Sequence, residues 1–263
     1  MQESMKLRDV VYKSPNLIVQ RIQKGSNASN SAVIVGNGHS VSVDDNDNVT
    51  FTDPGYRPVK SIKGYGDKCS VFIIYYPTTC EGLAASGKEL AEFINTDFKL
   101  YKKIILHGHS KCGVCFINLA QWLDEWTSYR TSIVSVSAPL GGTPIADIES
   151  FSKGLNRIEK FFYLKFFSDH KVDRDICPGS KFLNNLDSLP FDHPRIEFVI
   201  SKCGISINPI DWVLWFIGVK AGIKGDGFVS LSSQIPNWPH TPITASHATS
   251  LRKSCKYVRD MIP

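Results

Sequence analysis

Ile104-Ile105-Leu106-His107-Gly108-His109-Ser110-Lys111-Cys112-Gly113-Val114 is the stretch on which the fold of this 263-residue chain turns. Its apolar opening predicts a buried strand. Val114-Cys115-Phe116-Ile117-Asn118-Leu119-Ala120, which follows, predicts the apolar side of a helix. A serine on so tight a strand-to-helix turn has its hydroxyl held in the open at the top of a sheet. The helix N-terminus behind it points backbone N–H groups, and the positive end of its dipole, at any negative charge that develops there.

Working outward, 263 residues suffice for one large α/β domain with room for an insertion. Lysine and arginine number 30 against 25 acidic residues, a net charge of +5, but they are scattered and form no stripe that suggests nucleic acid. Residues 1–9 carry no apolar signal core, and the longest strongly apolar stretch, Trp212 to Val219, is far too short to cross a bilayer. The expectation is therefore a cytoplasmic protein with no integral membrane segment; its oligomeric state is left open. Seven cysteines cannot all pair within one chain and are read as thiols. Cys112 and Cys115 form a C-x-x-C, but no second ligand pair stands at zinc-site spacing, so no metal and no cofactor are expected.

Residues 17–22, 32–35, 41–43 and 49–52 read as short strands separated by polar Asn/Ser/Gly stretches, the last followed by the turn Asp53-Pro54-Gly55. Asn27-Ala28-Ser29 and Asn48-Val49-Thr50 are formal glycosylation sequons, of little meaning without an export signal. Val71 to Tyr76 is the first strongly buried strand, ending at Pro77-Thr78-Thr79-Cys80. Ser86 to Ile94 is an amphipathic helix with Leu90, Phe93 and Ile94 on one face. Strand, helix, strand, tight turn and helix in succession predict a parallel sheet with right-handed crossovers. Thr131 to Ser137 and Ile196 to Ile200 continue it. Trp212 to Ile217 either lines a pocket or packs in the core.

Gly108-x-Ser110 resembles the nucleophile elbow of the α/β-hydrolases, Gly-x-Ser-x-Gly, with Cys112 at the second glycine position and Gly113 one place later. Three further segments carry the resemblance in the family's order, so that it covers roughly residues 70–260. Ala138-Pro139-Leu140-Gly141-Gly142-Thr143-Pro144-Ile145-Ala146-Asp147 resembles a Pro-x-x-Gly-Thr-Pro-x-Ala-Asp stretch of bacterial lipases and related esterases. Pro178-Gly179-Ser180-Lys181-Phe182-Leu183 resembles another segment of the same families. Gly225-Asp226-Gly227-Phe228-Val229 resembles the Asp-Gly-x-Val segment that carries their catalytic aspartate. His247, rather than His240, stands where a closing helix to about residue 260 begins, the family's place for its base.

The resemblance implies an α/β-hydrolase fold: a mostly parallel central sheet flanked by helices, one domain, with a helical cap insertion over about residues 148–195. The aromatic run Phe161 to Phe167 within that insertion is either cap or ordinary core. The implied chemistry is ester hydrolysis on a small-molecule, lipid-like substrate by Ser110, His247 and Asp226, through an acyl-enzyme. The backbone N–H groups of Lys111 and Thr78 are the expected oxyanion donors. Thr78 enters because the family places one donor on the loop after a strand like Val71–Tyr76, and Pro77 has no N–H. No carboxylate follows His247 closely, so the structural calcium of some lipases is not expected. An acyltransferase using the same triad, and a hydrolase-like binding protein without turnover, are the alternatives.

Overall fold

The computed structural model describes residues 4–26, 30–44, 48–51, 65–166, 171–186, 195–202, 209–220, 222–234 and 239–263. The sequon at Asn27 and the turn at Asp53 lie outside them. Ten strands form one sheet: β1 (Ser4–Lys6), β2 (Val10–Lys13), β3 (Ile18–Gln23), β4 (Ser31–Val43), β5 (Asn48–Phe51), β6 (Ser70–Pro77), β7 (Lys103–His109), β8 (Thr131–Val136), β9 (Ile196–Lys202) and β10 (His240–Thr244). The main order is β10-β9-β8-β7-β4-β6-β3-β2, and β5 joins β1 to β4. Pairing is parallel from β10 through β6 and antiparallel from β6 through β3 to β2.

A parallel sheet covered on both faces needs strands that are apolar throughout rather than alternating, and β6 is buried at all eight positions. Its pleat sends Phe72, Ile74 and Tyr76 to one face and Val71, Ile73 and Tyr75 to the other. The first face is covered by the helix Leu83–Asp97, through Leu83, Leu90, Phe93 and Ile94, and by the elbow helix Lys111–Leu119, buried at every residue. The second is covered by the C-terminal helix His247–Asp260 through Leu251, Cys255 and Val258. Each large side chain taken out of water in this way contributes about 1.5–3 kcal/mol.

Three expectations change. Residues 32–35 and 41–43, read as two short strands, are one strand, β4, and it lies in the middle of the parallel sheet. His240, for which no strand was expected, opens the edge strand β10, where Pro242 costs the ladder little. The described residues of the stretch 148–195 are divided between two apolar clusters. Its later part packs into the main core through Ile176, Phe182, Leu183 and Leu186. Its earlier part, the helices Ile148–Lys153 and Arg157–Phe166, meets the helix Pro209–Lys220 in a separate apolar cluster built on Ile145, Tyr163, Ile217 and Ile223. The aromatic run is accordingly divided: Tyr163 is fully buried, whereas Phe161 is 57% exposed. Phe167 lies outside the described residues.

Candidate active site

Ser110 occupies the turn between β7 and the elbow helix with φ 56° and ψ −132°, a left-handed conformation that costs a non-glycine residue energy and is held by its surroundings. Its N–H donates to the carbonyl of Val136 at the end of β8 (2.9 Å), and its carbonyl accepts from Gly113 (2.9 Å). The Cys112 departure from the elbow pattern has a packing reason. Gly36 of β4 faces Cys112 so closely that a Cβ there would fall 2.7 Å from the Cys112 sulfur. Gly113 in turn sits where a Cβ would fall 2.7 Å from Ser135 Oγ of β8. The close approach of helix and sheet is thus shared between two positions.

His247 opens the C-terminal helix behind Ser246, which caps it in a box with Thr249. Its Nδ1 lies 2.7 Å from Asp226 Oδ2, and the geometry assigns the Nδ1–H tautomer. Asp226 Oδ1 accepts from the backbone N–H groups of Phe228 (3.0 Å) and Val229 (2.9 Å), so the carboxylate is fixed from both oxygens. The Phe228 ring stacks on the imidazole at 4.9 Å between centroids and 21° between planes. The Phe228 carbonyl accepts from Thr143 Oγ1 (2.6 Å), which ties the Gly-Thr-Pro segment to the loop of the acid. Gly218 of the helix Pro209–Lys220 approaches the same loop; a Cβ there would fall 1.9 Å from the Gly227 carbonyl oxygen.

The structure therefore brings Asp226 and His247 together. The ring of His109, the residue before the serine, is 4.5 Å from the His247 ring. On the same face of β7, His107 bonds through Nε2 to Ser254 Oγ (2.8 Å) and through Nδ1 to the Tyr65 hydroxyl. Burial pushes that imidazole down to about 3, so it is neutral and structural.

Thr78 does not join the site. Its N–H donates to the Val41 carbonyl (2.9 Å) and is spent in the sheet. Moreover β6, which ends there, is separated from the serine strand β7 by β4. The strands beside β7 are β8 and β4, the latter with Gly36 opposite Gly108. Between Gly36 and Ser40, residues 37–39 stand opposite the single Tyr75 of β6, so the backbone bulges at the level of the elbow. Gly38, at φ 68°, is held there: its N–H donates to Cys112 Sγ (3.0 Å), and a Cβ on it would lie 3.2 Å from Lys111 Cγ and 3.4 Å from the Lys111 nitrogen. Gly38 of the β4 bulge thus lies against Lys111. The signal in the sequence was a Gly-x-Gly directly after the apolar run Ala32–Val35.

Among the described residues no cluster of His, Cys, Asp and Glu is arranged to hold a metal ion, and no helix is long and apolar enough to cross a membrane. Cys69, Cys80, Cys112, Cys115, Cys177 and Cys255 carry no disulfide.

No protein-family profile matches the sequence, and no curated protein matches it. Solved structures do match in shape. A Bacillus licheniformis lipase, BlEst2, in its mature form superposes with a TM-score of 0.62 over 95% of this chain and 98% of its own, at 12% identity. A lipase-esterase related protein from Clostridium acetobutylicum gives 0.51 over 93% and 98%, at 13% identity. YbtT, a type II thioesterase of the yersiniabactin biosynthetic pathway, gives 0.53 over 93% and 96%, at 10% identity.

Proposed function

The chain has the α/β-hydrolase fold, and on that fold we propose that it is a serine hydrolase cleaving carboxylic esters through Ser110, His247 and Asp226. The observation that carries the reading is the Asp226–His247 hydrogen bond at 2.7 Å, with the remaining carboxylate oxygen held by two backbone N–H groups. A carboxylate so fixed keeps the proton on Nδ1 and leaves Nε2 as a base, which is the activation a serine hydroxyl requires.

In the reaction, Ser110 Oγ attacks the ester carbonyl carbon while His247 Nε2 takes its proton. The oxyanion is held by the N–H of Lys111 at the start of the elbow helix and by that of Asn37 in the β4 bulge. One such donor is worth about 3–4 kcal/mol of transition-state stabilisation. The imidazolium, steadied by Asp226, returns the proton to the leaving alcohol. Water then attacks the acyl-serine by the same route in reverse. The cluster of Tyr163, Ile217 and Ile223 meets Phe228 on the imidazole, which supports an apolar acyl group beside the site.

The test is hydrolysis of p-nitrophenyl butyrate by the wild type and Ser110→Ala, with fluorophosphonate labelling mapped by mass spectrometry. Loss of turnover in the variant and a label on Ser110 are expected; full activity in Ser110→Ala overturns the reading. The same assay run with added alcohol, and with an acyl thioester, separates hydrolysis from acyl transfer and ester from thioester.

A further inference from the structure

The residue after the serine is a lysine, and it is buried. Lys111 is 6% exposed, and its ammonium meets the Asp173 carboxylate at 2.6 Å, with side-chain exposures of 7% and 11% for the pair. Replacing a buried ion pair by apolar side chains is often neutral or stabilising, so such a pair is poorly accounted for by stability alone. What it does hold is a position. The aliphatic stem of Lys111 runs against Gly38, where a Cβ would lie 3.2 Å from Lys111 Cγ. The next side chain, Cys112, accepts the Gly38 N–H on its sulfur (3.0 Å) and donates its S–H to the Tyr76 hydroxyl oxygen at 3.1 Å. Two consecutive residues of the elbow helix thus grip one glycine of the β4 bulge.

Asp173 is itself firmly placed. The chain just after it is anchored where Asp175 Oδ2 accepts the N–H of Leu83 at a helix N-terminus (2.6 Å) and the Ile176 carbonyl accepts from the Thr143 N–H (2.9 Å). The tether on the lysine therefore leads back to the body of the domain.

Resting on the hydrolase reading above, we propose that the Lys111–Asp173 pair is a positioning device for the oxyanion hole. By fixing the lysine stem across Gly38 it sets the separation between the two backbone donors, Lys111 N–H and Asn37 N–H. Neither charged group touches the substrate; both act through the backbone.

Asp173→Asn keeps the shape and removes the charge. Its kcat on p-nitrophenyl butyrate should fall by about ten- to a hundredfold with KM within about twofold, because a misplaced donor is felt in the transition state and little in the ground state. Hydrogen exchange read by mass spectrometry should accelerate at amides 36–40 and stay unchanged in the helix Leu83–Asp97. In Lys111→Met/Asp173→Leu no charge is left buried, so the melting temperature should return to that of the wild type while kcat stays low. If kcat recovers together with stability in the double variant, or if exchange at 36–40 is unaltered in Asp173→Asn, the proposal is overturned. A wild type that takes no fluorophosphonate on Ser110 overturns the hydrolase reading instead, and the exchange experiment, which needs no substrate, keeps the two failures apart.

Discussion

Asp226→Asn is the change whose consequence the hydrogen bonds specify most fully. Asp226 presents one oxygen to two backbone donors, Phe228 N–H and Val229 N–H, and the other to His247 Nδ1. An asparagine has one acceptor oxygen and one donor NH2. Turning the NH2 toward the two backbone donors would leave both unsatisfied, at roughly 1–3 kcal/mol each, so the amide oxygen stays with them. The NH2 then faces Nδ1, which must offer its lone pair, and the ring proton moves to Nε2 on the serine side. The base is lost although every atom is nearly in place. The expected drop in kcat is on the order of 10⁴-fold, which at about 1.36 kcal/mol per decade is roughly 5.5 kcal/mol of barrier. Asp226→Ala leaves the imidazole free to choose its tautomer but strips the two N–H groups of their acceptor. It should therefore keep more activity than Asp226→Asn and lose more stability. Steady-state kinetics on p-nitrophenyl butyrate beside thermal melts of both variants read the crossing. An Asp226→Asn enzyme within about tenfold of wild type, or more active than Asp226→Ala, refutes the reasoning.

Asn37→Pro, which deletes the backbone N–H, should lower kcat by about 10²–10³-fold with little change in KM, whereas Thr78→Ala should leave both nearly unaltered; the reverse order in kinetics, with melts checked, returns the donor to Thr78. His107, held neutral with a pKa of about 3 against about 6.5 in the unfolded chain, contributes stability that is complete above pH 6.5 and is lost as pH falls below it, ~2 kcal/mol by pH 5. Urea titrations at pH 8 and pH 5 should show that loss shrinking by about this amount in His107→Gln, and an equal loss in both proteins sinks the assignment. Catalytic efficiency should rise from acetate through butyrate to hexanoate esters, at most about fourfold per methylene, and a flat series removes the apolar acyl site.

What could be read from the chain alone was whatever is local. Strand, Gly-x-Ser turn and helix at 104–120, the Gly-Asp-Gly turn at 225–227, and a histidine opening the last helix at 247 each depend on residues within about one or two elements of one another. Backbone propensity and apolar periodicity act on that scale. Even Asp226 and His247, 21 positions apart, form one such neighbourhood. Which strand lies beside the serine is a different kind of fact. Residues 31–36 pair with 103–108, and nothing in the apolar run 32–35 says whether it will lie at an edge or in the centre, since both faces of a buried strand look alike in sequence. Once β4 takes the place next to β7, the Thr78 N–H is used up by Val41, and Gly36 and Gly38 of β4 lie against the elbow helix. The Lys111–Asp173 pair, 62 positions apart, and the Tyr65–His107–Ser254 chain are likewise decided only by packing, because a lone Lys or His carries no mark in the sequence of the partner that will compensate its burial. Local pattern thus shaped the segments that carry Ser110, Asp226 and His247, and the order of strands in the sheet decided which backbone lies against Lys111.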